Sequence, residues 1–384
     1  MGKIGLVCVT NHNYGSILQT FALQTIVNKL GAETEIVRYN ESKLSKIRRL
    51  RNKEYMQTRF KVIEKKITLT FLCRKYSHLL EERGIAFSRF IGTNLKFSEV
   101  SWSLSELNRK AYNYDIVLLG SDQVWHPMNL YMNFFTLNFV PDKIVKGVYA
   151  PSFGVSKITN SYNEAYRKYI NRIQYLSCRE AAGVDIIYDL TGKKAPMVCD
   201  PTILLTKEDW LQILPGKIKY PFRYIFCYFI GDNPKQRELV SKLKETTGCK
   251  IVTLLHIDEY ISSDNNYGDY TPFDVDPLDF LELIKNAEYI MTDSFHASVF
   301  SILFHKAFFT FNRFENMKEK STNSRIDSLL GVLDLTERRV SSEDTIEILL
   351  NKKEIDFKAV DMKLFPFREA SQNYLKTILG EIYE

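Results

Sequence analysis

The stretch Thr292-Asp293-Ser294-Phe295-His296 decides how this chain is read, because an apolar run ends there and a helical pattern begins. Residues 288–291 have the character of a buried strand's end, while Ala297, Phe300, Ser301 and Phe304 recur at helical spacing. His296 therefore falls in the first turn of a helix, outside the carboxyl end of a strand, where open α/β sheets bind their ligands. An imidazole there can donate or accept a proton near neutral pH, and the free N–H groups of the turn can hold an anion. A histidine that only caps or packs is the plainer alternative. The rest of the sequence favours a site.

Outward from this point the same strand, polar turn and helix succession recurs. Residues 4–9 form a short apolar run, the turn 10–15 follows, and Ile17, Leu18, Phe21, Ala22 and Ile26 space like one helix face. Gly31 ends that helix and residues 35–39 supply the next strand, a β-α-β unit. Strand-like runs at 115–119, 146–150 and 197–199 stop at Gly120-Ser121-Asp122-Gln123-Val124-Trp125, Pro151-Ser152-Phe153-Gly154 and Asp200-Pro201-Thr202. A second series runs through strands at 224–230 and 250–255, and a helix opened by Asp276 as N-cap with Pro277 at its first position leads to the His296 turn. Two such series predict an α/β protein of two Rossmann-like domains facing across a cleft. The expected division is 1–205 and 206–384, joined near Pro215-Gly216, with a basic helical insert near 41–95. A final helix from about Pro366 is expected to cross back to the first domain.

Composition narrows the class. With 384 residues, 45% hydrophobic and 26% charged, the chain is too long for one ordinary core and too apolar for disorder. No apolar run approaches the roughly 18 residues of a membrane span, and the first residues look like a strand rather than a signal peptide, so a cytoplasmic protein is expected. Six scattered cysteines without a C-x-x-C pair are expected to be buried thiols, not a disulfide frame or a zinc site. The net charge of +6 is local: residues 41–66 hold ten Lys or Arg against three acidic residues, which is +7 and leaves −1 for the remainder. Leu44, Ile47, Leu50, Met56, Phe60 and Ile63 recur there as in a basic amphipathic helix. Such a helix packs on its own domain, or lies against an anionic membrane surface or an acidic polymer. No nucleic-acid partner is expected.

The G-x-G-x-x-G, P-loop, H-E-x-x-H and G-x-S-x-G patterns are absent. Asp274-Val275-Asp276 has a D-x-D form, but Asp276 is better explained as a helix cap, so no metal is expected. What is present is an ordered set: Asn13-Tyr14-Gly15-Ser16-Ile17-Leu18-Gln19, Gly120-Ser121-Asp122-Gln123-Val124-Trp125, Ala150-Pro151-Ser152-Phe153-Gly154, Ser177-Cys178-Arg179-Glu180, Asp200-Pro201-Thr202, the His296 turn and Ser324-Arg325-Ile326. Together these resemble the polysaccharide pyruvyl transferase family. The resemblance implies a glycosyltransferase B-like architecture, and transfer of a carboxyethylidene group from phosphoenolpyruvate to two hydroxyls of a sugar, with no cofactor beyond that donor substrate. The implied acceptor is a polymeric or lipid-linked sugar.

In this resemblance His296 matches the family's catalytic acid and Arg179 an arginine that grips the donor. Arg325 falls where many members carry a lysine. Ser294 stands two residues before the histidine, where many members have an arginine, so one donor contact has to come from Arg325, Lys306 or the backbone of residues 294–296. Arg179 has a plainer alternative in pairing with a nearby carboxylate. Asn13, Gln19, Ser121, Asp122, Trp125, Ser152 and Asp293 are candidates for the acceptor side or the cleft. Asn13 is also a natural cap, Asp122 and Trp125 are either a loop cap and a core anchor or a sugar-binding pair, and Asp293 caps the helix, orients His296, or both. Competing functions are a nucleotide-sugar glycosyltransferase and a non-catalytic carbohydrate-binding protein of the same fold.

Overall fold

Four- and five-residue apolar runs bounded by polar turns are what buried parallel strands require, since helices cover both faces of such a sheet. A computed structural model describes residues 2–41, 77–231, 233–256, 261–264, 267–313, 324–340 and 344–381. The predicted basic helix at 41–66 lies outside the described residues apart from Glu41. The first sheet is built from β1 (Lys3–Val7), β2 (Glu33–Tyr39), β3 (Phe97–Ser101), β4 (Ile116–Leu119) and β5 (Val145–Val148), in the order β3-β2-β1-β4-β5. The second is built from β6 (Tyr224–Tyr228), β7 (Lys250–Thr253), β8 (Tyr289–Thr292), β9 (Ala307–Phe311) and β10 (Arg339–Val340), in the order β10-β9-β8-β6-β7. Every pairing in both sheets is parallel. The expected α/β architecture of two Rossmann-like units is what forms.

Each sheet has a point where the strand order reverses, between β1 and β4 in the first and between β6 and β8 in the second. Loops leaving adjacent strands diverge at such points and leave a crevice at the carboxyl edge. The turn after β1 leads into the Tyr14–Lys29 helix, and the turn after β8 leads into the Phe295–Leu303 helix that carries His296. The two crevices therefore supply opposite walls of one cleft.

Buried contacts hold the halves together. Arg83, 2% exposed on the Ser77–Asn94 helix, donates to the carbonyls of Leu255 (2.8 Å), Pro272 (3.0 Å) and Phe273 (3.3 Å) in the second half. The Tyr14 hydroxyl donates to the Val275 carbonyl at 2.9 Å, and its ring stacks on Phe280 at 4.5 Å. Asp276 caps the Pro277–Asn286 helix by accepting from the N–H groups of Leu278 and Asp279, which accounts for the D-x-D stretch. Cys8, Cys178, Cys199, Cys227 and Cys249 are buried free thiols. No described helix is long and apolar enough to cross a membrane.

The last helix, expected from about Pro366, begins at Phe357 and carries Pro366 in its interior. Asp356 caps it by accepting from the Ala359 N–H at 3.1 Å. It packs on the first half: Ser371 Oγ accepts from the Cys199 N–H at 2.9 Å, the Tyr374 hydroxyl donates to the Val148 carbonyl at 3.0 Å, and Ile378 lies over Gly147 so closely that a Cβ there would meet it at 3.0 Å. Leu375 and Ile378 are wholly buried in a core cluster that also contains β1 and β4 residues. Leu375→Ala is expected to lower the unfolding free energy by about 2–5 kcal/mol, the usual cost of such a cavity. Urea denaturation followed by near-ultraviolet circular dichroism checks this.

Candidate active site

The Tyr14–Lys29 helix starts where it does because Asn13 accepts from the Ser16 N–H at 3.2 Å, so its first turn presents Gly15 and Ser16 to the cleft. Opposite, Ser294 caps the Phe295–Leu303 helix by accepting from the Ala297 N–H at 3.4 Å, which sets His296 in the first turn. The two turns touch. A Cβ at Gly15 would lie 2.0 Å from His296 Nδ1, so glycine is required there by close approach rather than by its backbone angles.

Below the imidazole lies Asp200, held by the N–H of Thr202 (3.0 Å) and its hydroxyl (2.7 Å) on one carboxylate oxygen. The other oxygen accepts from Arg179 Nη1 at 2.5 Å and Ser121 Oγ at 3.1 Å, and stands 3.5 Å from His296 Nε2. That last distance is a charge contact and not a hydrogen bond, and His296 Nε2 has no hydrogen-bond partner among the described residues. Asp122, with φ at 78°, accepts from Ser16 Oγ at 2.5 Å and from the Gln123 N–H at 2.8 Å, and lies 4.0 Å from Arg179 Nη2. The Arg179 guanidinium lies 4.5 Å from the Phe295 ring centre and that of Arg325 5.9 Å. Arg179 Nε and Nη2, Arg325 Nε and Arg313 Nε are buried without hydrogen-bond partners among the described residues.

A polysaccharide pyruvyl transferase family model matches residues 13–314. The chain belongs to that family. No curated protein matches it significantly. Among solved structures it is similar to the UDP-GlcNAc 2-epimerase from Methanocaldococcus jannaschii, at 14% identity over 94% of this chain and 92% of that one, TM-score 0.50. It is also similar to the UDP-GlcNAc 2-epimerase from Neisseria meningitidis bound to UDP-GlcNAc, at 12% identity over 99% and 100%, TM-score 0.50. The MnaA–UDP co-structure from S. aureus aligns at 12% identity over 100% and 98%, TM-score 0.54. These likenesses establish the glycosyltransferase B-like fold of this family member.

The buried charges of the family member's cleft shift one another strongly. Burial alone would raise the Asp200 carboxyl, but His296 and Arg179 outweigh it and hold the group far below the usual carboxylate range. Burial also works against the Arg179 charge, yet Asp200, Asp122 and Glu180 outweigh it and hold the guanidinium protonated. For Arg325 the balance falls the other way: burial first, then repulsion from Arg179 and Arg313, outweighs the attraction of Asp122 and Glu180 and pushes it down to about 9. A guanidinium in that position favours any anion that enters.

Several expected site residues are placed elsewhere. Trp125 is 2% exposed, its indole N–H donates to the Phe135 carbonyl at 3.3 Å and its ring packs on Phe153 and Tyr169, so it is a core anchor and not a sugar platform. Gln19 is fully buried, its amide donating to the Ser16 carbonyl and Thr20 Oγ1 inside the first half. Asp293 neither caps the helix nor orients His296; it accepts from the N–H groups of Ile230 (2.7 Å) and Gly231 (2.9 Å), tying the turn after β6 to the turn after β8. Ser294 commits its hydroxyl to the cap. Lys306 precedes β9 and so stands at the opposite edge of the sheet from His296, away from the Arg179 and Arg325 guanidiniums.

Ser121 and Asp122 do join the cluster, and Ser152 reaches it through Glu180, whose Oε1 accepts from Ser152 Oγ and the N–H of Phe153, both at 2.9 Å. Asp200 and Arg313 were not among the expected site residues. The signal for Asp200 is its place at a polar turn after an apolar run, like those of Asp122 and Ser152, in the Asp200-Pro201-Thr202 stretch.

The Gly15–His296 contact gives a double-mutant test. Gly15→Ala should cost about 1–3 kcal/mol as the ring is displaced. In a His296→Ala background the same change should be neutral or stabilising by up to about 1 kcal/mol, because alanine is the better helix former. Chemical denaturation of the four proteins measures the sign reversal, and additive effects would contradict the contact.

Proposed function

We propose that this protein transfers a carboxyethylidene group from phosphoenolpyruvate to two hydroxyls of a sugar in a polysaccharide or its precursor. The observation that carries this reading is the pair of buried guanidiniums, Arg179 and Arg325, with unpartnered N–H groups beside the unpartnered Nε2 of His296. Phosphoenolpyruvate brings a phosphate and a carboxylate, the two groups that arginine forks recognise, and its chemistry begins with protonation of the methylene carbon. In this reading His296, as imidazolium, gives that proton while Arg179 and Arg325 hold the anionic groups. The central carbon then becomes electrophilic and a sugar hydroxyl adds to it. Phosphate leaves, and the second hydroxyl closes the cyclic ketal.

The donor charge is neutralised by arginines in this reading, so divalent metal is not required. Among the described residues no group of three His, Cys, Asp or Glu side chains could hold a metal ion. The reaction is assigned to the cytoplasm, and residues 41–66, with their net charge of +7, suit an anionic, lipid-borne acceptor.

Phosphoenolpyruvate should raise the melting temperature of the wild-type protein, since a ligand that binds only the folded state stabilises it by mass action. A shift with a UDP-sugar and none with phosphoenolpyruvate would instead favour a glycosyltransferase. Arg325→Ala should weaken donor binding by about 2–5 kcal/mol, as truncation of a desolvated charged partner does, without unfolding the chain. Calorimetric titration with phosphoenolpyruvate reads this.

His296→Gln should bind the donor nearly as well as the wild type yet lose roughly 10²-fold or more of turnover, the scale of general acid catalysis. Release of inorganic phosphate in the presence of sugar acceptor is the measurement. A variant as fast as the wild type would remove His296 from this role.

A further inference from the structure

Protonation by His296 accounts for one proton of ketal formation and leaves the two hydroxyl protons without a stated destination. The first hydroxyl adds to the central carbon of the donor and needs a base within reach as its O–H bond breaks. Three carboxylates surround the Arg179–His296 cluster. Asp200 is closed off: its oxygens are taken by Thr202, Arg179 and Ser121, and its side chain is 0% exposed. Glu180 is also 0% exposed, with Oε1 given to Ser152, Phe153 and Gly154 and Oε2 sealed inside the protein. Asp122 differs. Its side chain is 15% exposed, so of the three it alone has an edge that a substrate can touch.

Asp122 is also held for use. Ser16 Oγ and the Gln123 N–H fix its carboxylate, and its carbonyl accepts from the Ser152 N–H at 2.8 Å. Its φ of 78° is left-handed, a conformation uncommon for residues other than glycine and concentrated at functional sites. Ser16 comes from the same first turn whose Gly15 meets His296, so base and acid are registered to each other by two successive residues.

We infer that Asp122 is a catalytic base that takes the proton of the sugar hydroxyl attacking the donor, an inference that rests on the pyruvyl transfer proposed above. The balance is complete without a further reactant. His296 forms the new C–H bond at the methylene carbon; the hydroxyl oxygen bonds to the central carbon and its proton passes to Asp122. The bond between that carbon and the phosphate oxygen breaks, and Asp122 returns the proton to the departing phosphate. The second hydroxyl then adds to the same carbon and its proton restores the His296 imidazolium.

The charges facing Asp122 make this order sensible. Burial would raise its carboxyl, but Arg179 from the segment before the Ala181–Thr191 helix, His296 from the Phe295–Leu303 helix, the Ser16 hydroxyl and Arg325 from the Ser324–Val332 helix together hold it below the usual range. A bound anionic donor compensates those same cations and so strengthens the base when it is needed.

The test uses Asp122→Gly, since glycine accepts the left-handed backbone and leaves a gap where the carboxylate was. Phosphate release would be followed with phosphoenolpyruvate and a set of p-nitrophenyl hexosides that keep neighbouring free hydroxyls. We expect the melting shift with phosphoenolpyruvate to survive, phosphate release to fall by roughly 10²- to 10⁴-fold, and added formate to restore at least about tenfold of it. Asp122→Asn should be equally slow and unresponsive to formate, because its amide fills the gap. Turnover of Asp122→Gly near the wild-type rate, or a loss that formate does not relieve, overturns the inference. Wild-type protein that forms no ketal with any of the hexosides overturns the function reading itself, and this inference with it.

Discussion

The buried carboxylate of Asp200 balances the charges that both halves of the protein push into the cleft. It bonds Arg179 at 2.5 Å and faces His296 Nε2 at 3.5 Å, one partner from each side of the domain join. An ion pair this deep adds little net stability, since desolvation offsets most of the attraction, but removing one member leaves a buried charge unpaired. Its role is therefore geometric more than energetic. With Asp200 fixed by Thr202, the guanidinium keeps one edge engaged and the other without a hydrogen bond, and the imidazole turns Nε2 toward Asp200 without hydrogen-bonding it. Arg325 is compensated only in part, by Asp122 and Glu180. The cleft sets three arginines, Arg179, Arg313 and Arg325, against three carboxylates, Asp122, Glu180 and Asp200, so its charges are closely matched.

That arrangement depends on the halves being held at contact distance. The Arg83 guanidinium in three carbonyls, Tyr14 stacked on Phe280 and the absence of a side chain at Gly15 all act at the same join. Each is a group from the first half that fits only where the second half already stands. A shared fold does not fix function, so what this chain does rests on the identity of its side chains rather than on the scaffold.

Much of this was legible in the sequence, for reasons that also explain what was not. The central strands are short and buried, so apolar runs ending in polar turns mark the carboxyl edges of both sheets; the caps Asn13 and Asp276 are where helix-start chemistry puts them, while the His296 helix is capped by Ser294, one residue after the expected Asp293. His296 followed from that edge rule. The sequence leaves Trp125 open between core anchor and sugar platform, and Asp293 between cap and orienter of His296, because a residue in a strand-end turn can point back into the core or sideways to the next turn and one-dimensional spacing does not distinguish these directions. Asp200 stands in one of the quoted turns, but nothing in the sequence shows that, besides capping its own helix, its second oxygen serves Arg179, 21 residues earlier. The long final helix was entered late because Pro366 looks like a beginning, and the packing of Val360 and Leu364 before it carries the helix through.

The return of the last helix to the first sheet sets an order on biosynthesis. Gly147, Val148 and Cys199 find their packing partners in residues 371–378, so the first half leaves the ribosome with one face uncovered while the whole second half is still being made. Nascent domains generally fold as they emerge. Here the packing around Gly147, Val148 and Cys199 is completed only when the helix over 357–380 has been made.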